Sequence, residues 1–217
     1  MERYIILDRF NTCYDWRFIL TAKNVTPPDP KTNYVNLDGM SGTLDLSEAL
    51  AGEVAYKDRT LTASFWTDAG TFAERAKLIK TIIAALHGKK IKIVEPDDPE
   101  HYYYGRVKIK STNNIVPYAE LSITATCDPW RYSLQETKRR IDVNGSKVSA
   151  VIHNNGVKTL CPTITVTGSV TITHNDVTAS LTAGYYKITD LKLRQGLNII
   201  TVSGEGSVTL TYREADL

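Results

Sequence analysis

The sequence predicts a mainly β protein in two parts. Residues 1–135 read as an α+β domain of antiparallel sheets with one helix, and residues 136–217 as an antiparallel β-sandwich of the jelly-roll type. Three observations carry this: one sharply bounded helical period, period-two alternation around it, and turn signals every eight to twelve residues in the last third.

The helix is read over 71–87. Phe72, Ala76, Ile79, Ile83 and Leu86 recur at spacings of four and three, with Leu78 and Ile82 widening the stripe. Thr71 and Glu74 have the form of a capping box, and Gly88 follows the last periodic residue as a C-terminal cap. This reading places Glu74, Arg75, Lys77 and Lys80 on the wet face, free for partners. Around the helix, Leu61, Ala63 and Phe65 alternate with Thr60, Thr62 and Ser64. Val107 and Ile109 alternate with Arg106, Lys108 and Lys110, and Leu121, Ile123, Ala125 and Cys127 with Ser122, Thr124 and Thr126. Each such strand has a dry face for the helix to cover and a wet face left open.

The polar stretch 133–142, SLQETKRRID, reads as the boundary. Beyond it, short strands are expected at 148–153, 162–167, 169–173, 177–182, 185–189, 197–203 and 207–213. Asn144-Gly145, Gly168-Ser169, Gly184 and Gly204-Glu205-Gly206 read as turns between them.

The chain has 217 residues and 24.2 kDa, 42% hydrophobic and 23% charged, which excludes a disordered or collagen-like polymer. No apolar run reaches the ~20 residues of a membrane span, so no membrane insertion is expected. The first ten residues, MERYIILDRF, lack the long apolar core of a secretory signal. With 26 basic and 24 acidic side chains, the net charge of +2 carries no footprint of specific nucleic-acid binding. Cys13, Cys127 and Cys161 are far apart and read as reduced, apolar residues.

The motifs of catalysis are missing. His87, His101, His153 and His174 are scattered, and His153 with Cys161 is two ligands short of a zinc site. The run Glu95-Pro96-Asp97-Asp98-Pro99-Glu100 clusters carboxylates, but its prolines and strand-like flanks make it a solvated hairpin loop. No cofactor, metal or catalytic residue is assigned, and no enzyme is expected. Tyr102, Tyr103 and Tyr104 follow that loop. A strand must turn one of the three away from the others, so Tyr103, like Tyr185 in the second part, is a candidate interface anchor.

The order of the pieces is more specific than any one of them. A turn at Asp38-Gly39, the strand Arg59–Trp66, the capped helix, an acid-proline loop and an aromatic strand come first. The exit Cys127-Asp128-Pro129-Trp130-Arg131-Tyr132 closes the series, and the whole resembles the ring-forming domain of the distal tail (Dit) proteins of long-tailed bacteriophages. Cys161-Pro162-Thr163-Ile164 and the final segment Gly206–Arg213 resemble that family's galectin-like C-terminal sandwich. The resemblance implies a structural virion protein of the phage or prophage tail, assembled in the host cytoplasm: a baseplate hub. In that role it forms a homo-hexamer, binds the tail tube protein and tail-tip or tape-measure-associated proteins, and anchors a receptor-binding protein. The alternatives are another tube or baseplate subunit of the same fold, or a carbohydrate-binding module or adhesin using Tyr185 or Tyr186.

Overall fold

The computed structural model describes residues 3–49, 52–113 and 117–217. The chain divides into two compact units, one running to Arg131 with Leu217 added and one spanning Tyr132–Asp216.

The first unit is built on β1 (Ile6–Leu7), β2 (Phe10–Asn11), β3 (Ile19–Val25), β4 (Tyr34–Val35), β5 (Leu44–Asp45), β6 (Arg59–Thr67), α1 (Phe72–Leu86), β7 (Lys90–Glu95), β8 (Asp98–Asn113) and β9 (Ala119–Ser133). Seven of these strands form a sheet in the order β2-β1-β7-β8-β9-β6-β3, while β4 and β5 pair only with each other. Its inner face packs Leu61, Phe65, Ile93, Val107, Leu121 and Ile123 against Ile79, Ile82 and Leu86 of α1. Burying six such side chains contributes roughly 10 kcal/mol or more before chain entropy is counted.

The capping box at α1 is present in both directions: Thr71 Oγ1 accepts from the Glu74 amide at 3.3 Å, and Glu74 accepts from the Thr71 amide at 2.7 Å. The buried stripe is rotated from the expected one. It consists of Arg75, Ile79, Ile82 and Leu86, while Phe72 is 48% exposed and Ile83 only partly covered. Gly88 has φ +77°, and His87, the C-cap residue, donates its amide to the Ile83 carbonyl at 2.9 Å while its ring Nδ1 accepts the Ile109 amide of β8 at 3.1 Å.

The second unit contains β10 (Thr137–Asn144), β11 (Val148–Asn154), β12 (Thr163–His174), β13 (Val177–Lys187), β14 (Gly196–Tyr212) and β15 (Ala215–Asp216). The stretch read as a polar boundary is therefore largely strand. Ser133, the last residue of β9, belongs to this unit, and its amide donates to the Glu214 carbonyl at 2.9 Å. Strands β10 to β14 form one sheet, β10-β14-β12-β13, with β11 also on β14.

Six short strands of the sequence reading are three long ones. Gly168, Gly184 and Gly204-Glu205-Gly206 do not end strands; they lie inside β12, β13 and β14. On β14, residues 196–202 pair with β11 and 205–212 with β10, so the partner changes at the glycines. Ile200 and Val202 on one side of the break and Val208 and Leu210 on the other line the same core. The glycines lie between them, where the backbone of β12 comes too close for a side chain: a Cβ on Gly204 would collide with the Ser169 carbonyl and one on Gly206 with the Thr167 carbonyl.

Candidate functional site

The surfaces available for assembly follow from which side chains the two sheets leave uncovered. On α1, Glu74, Lys77 and Lys80 are exposed. Arg75 is not: it is 4% exposed and donates to the Gly70 carbonyl at 2.7 Å, which holds the turn preceding the helix. A long side chain at an inward position can bury its stem and still satisfy its head locally, and helical spacing alone assigns it to the wrong side.

Tyr103 is likewise no surface anchor. It is 7% exposed, packs inward, and has the Arg59 guanidinium 5.3 Å from its ring. Burial, reinforced by Glu95, raises its phenol above the ordinary value. Tyr102 and Tyr104 point to the opposite face, where Lys92 covers the first at 4.9 Å and Lys90 stands over the second at 4.8 Å. Tyr104 is the ring that remains open, at 37%. Tyr185 on β13 is 82% exposed.

The acidic run is the hairpin between β7 and β8, with Glu95 opposite Asp98. It is tied down by ion pairs at Glu95, Asp97 and Asp98, while Asp97, Pro99 and Glu100 stay exposed to solvent as expected. Lys23 reaches Glu95 at 3.3 Å and Asp97 at 2.7 Å, while Arg131 and His101 hold Asp98 at 2.9 and 2.7 Å. Lys23 and Arg131 come from β3 and β9, so carboxylates that resemble a cation site are paired in charge by distant parts of the chain. Among the described residues no group of three His, Cys, Asp or Glu has metal-ligand geometry. His174 is buried, and its ring nitrogens face the carbonyls of Ile199 at 2.8 Å and Lys192 at 3.0 Å, a clasp between β14 and the loop before it. All three cysteines are free, and burial pushes the Cys127 thiol up to about 12.

Two uncovered surfaces have no sequence signal. One is the excursion between β3 and β6. None of the described residues between Thr26 and Asp58 is buried, yet the backbone is closed by its own bonds, such as Lys31 N–H to the Ala55 carbonyl at 2.7 Å and Leu46 N–H to the Asn33 carbonyl at 2.8 Å. It exposes Tyr34, Leu37, Met40 and Leu44. The other is the outer pair β11·β14, where Val151 sits opposite Ile199 and both are more than half exposed, with Leu197 beside them. Short apolar positions on a turn-rich arm look the same in sequence whether they pack inside or outside the molecule.

No protein-family model matches the sequence, and no curated protein does either. Among solved structures, the chain is similar to the Dit protein (gp 19.1) of SPP1, described as a paradigm of the hub adsorption apparatus in phages that infect Gram-positive bacteria. The two share 16% sequence identity over 99% of each chain, with a TM-score of 0.70. Over that span, this chain has the fold of a Dit protein.

Proposed function

We propose that the protein is a structural subunit of a phage tail tip, a hub that closes as a hexameric ring between tail tube and tip and anchors the receptor-binding components. The observation that carries the reading is the likeness to the SPP1 hub protein over 99% of both chains, second unit included. An isolated sandwich or a tube subunit lacking the second unit would match only in part.

The bare excursion supports the ring. An arm with no fully buried side chain among its described residues, which meets its own sheet through Tyr56 edge-on to Trp130 and offers Tyr34, Leu37, Met40 and Leu44 outward, needs a second surface to cover it. Head-to-tail contact supplies one, because each copy then gives its arm to a neighbour and receives another. The test replaces Leu37 and Met40 with Glu. Cross-linking of the variant should fall to monomer while its thermal unfolding stays close to that of the parent, since neither residue is buried in the subunit. Unchanged cross-linking would remove the arm from the interface.

The exposed Tyr185 keeps a glycan-binding role in view for the second unit. Specific binding on a glycan array that is lost in Tyr185→Ala would establish it, beside or instead of the hub.

A further inference from the structure

The sheet of the second unit ends on β13, which among the described residues pairs with β12 on one side and with no strand on the other. A sheet edge presents unpaired amides and carbonyls, and proteins blunt it with charge, proline, bulges or shortness. Two other edges show this. β3 shifts register between Leu20 and Ala22 and carries Lys23, and β10 carries Lys138, Arg139, Arg140 and Asp142. β13 has 11 residues, and from Val177 to Tyr186 none of them is charged or a proline.

The hairpin leading into β13 fixes which of its groups face outward. His174 pairs with Val177 across the turn Asn175-Asp176, where Asn175 has φ +50°. The pair flanking a two-residue turn exchanges main-chain bonds, and such pairs alternate along the ladder. Val177, Ala179 and Leu181 therefore direct their amides and carbonyls to β12, while Thr178, Ser180 and Thr182 direct theirs to the free edge. The Thr182 carbonyl is already taken, because the Tyr186 hydroxyl donates to it at 3.0 Å. The open window is thus Thr178, Ser180 and the Thr182 amide, at the repeat of about 7 Å that a second strand matches.

The core is open along the same edge. Ala179 and Leu181 lie opposite Ile172 and Val170 of β12. Those two β12 side chains are buried, whereas Ala179, Leu181 and Val177 are only half-buried. A strand added here lays its own inward side chains against them. Its inward positions lose water, so charge there is costly, and its bonded amides exclude proline. Two copies of β13 pairing about Ser180 would set each Thr178 against the occupied Thr182 carbonyl of the other. The window suits a short, separate segment.

We propose that the 177–182 edge of β13 takes an extended, uncharged peptide segment of about six residues by strand addition, with apolar side chains inward and small hydroxyl ones outward. This rests on the hub reading and gives its anchoring role a site, the segment being carried by a receptor-binding component.

The probe is the acetylated and amidated peptide Ser-Val-Thr-Ile-Thr-His, the sequence of residues 169–174, which has that alternation. It is titrated at high concentration into isotope-labelled full-length protein and followed by amide shifts in NMR spectra. Shifts should concentrate on Thr178, Ser180 and Thr182, and hydrogen exchange of these amides should slow. Ser180→Pro removes an outward amide that β12 does not use; it should keep the fold and weaken binding about tenfold or more. Tyr186→Phe frees the Thr182 carbonyl and should strengthen binding about fivefold, the worth of one hydrogen bond. The peptide with Pro in place of its first Thr should not bind. Should Ser180→Pro fail to fold, that peptide and Tyr186→Phe still decide.

Shifts scattered over the unit, equal binding of the proline peptide, no gain in Tyr186→Phe, or a folded Ser180→Pro that binds like the parent would overturn the proposal. So would concentration-dependent broadening of Thr178 and Ser180 without peptide, because that assigns the edge to a second copy. Light scattering of the same samples separates this from the hub reading. A ring that ignores the peptide keeps the hub and retires the edge, whereas peptide binding by a protein that stays monomeric does the reverse.

Discussion

Gly206 of β14 lies directly opposite Gly168 of β12, and both have positive φ, +136° and +81°. A Cβ on Gly206 would collide with the Thr167 carbonyl, and one on Gly168 with the Glu205 carbonyl. Gly206→Ala therefore combines a forbidden backbone with a clash that neither strand can relieve, and should cost about 2–4 kcal/mol. Gly145→Ala has the strain but open space around it, and should cost about 1 kcal/mol. Urea unfolding midpoints measure both; equal losses would mean that the close approach of the two strands is not what demands glycine.

Arg75 and Lys77 are two residues apart on α1, and their fates on charge reversal should differ. Arg75→Glu places a carboxylate among buried groups and against the Gly70 carbonyl, so the subunit should unfold at lower temperature by many degrees. Lys77→Glu, being exposed, should leave unfolding unaltered and act, if at all, on assembly. Circular-dichroism melts compare them, and a stable Arg75→Glu subunit would refute the buried placement.

Thr71→Ala removes the acceptor for the Glu74 amide and half of a reciprocal cap. The expected loss is about 1 kcal/mol. It should appear as faster exchange of the amides in the first turn of α1, with β14 unaffected.

Buried acids with raised pKa fix the sign of the alkaline response. The folded Cys127 thiol stays protonated to about pH 12, whereas the unfolded chain ionises near 9, so the unfolded state binds fewer protons between these values. Stability falls there by roughly 1.4 kcal/mol per pH unit from this group alone. Tyr103 and Tyr212, raised mainly by burial, act in the same direction. Cys127→Ala should flatten the decline measured by denaturant titration above pH 9. At about pH 8, below the thiol's ordinary range, a thiol reagent should leave Cys127 of the native protein untouched.

What the sequence discloses is what short-range chemistry determines. The Thr71–Glu74 box and the 3.6 period specify α1 within a few residues, and the alternation along β6, β8 and β9 identifies their dry faces. Gly168, Gly184 and Gly204 mislead because a glycine has the same local pattern in a turn and inside a strand. The difference lies in the partner strand, nearly forty residues away for the Gly168–Gly206 pair. Burial of Arg75 and Tyr103, and neutralisation of the acidic hairpin by Lys23 and Arg131, likewise depend on how the chain folds back on itself.

The central claim is that identical copies complete one another around a pore. Light scattering of the full-length protein over rising concentration, with negative-stain images of the same fractions, tests it most directly. The account predicts six copies of 24.2 kDa, 145.2 kDa, in a six-fold ring with an open centre. A 24.2 kDa species at every concentration, with no annular particles, would contradict it.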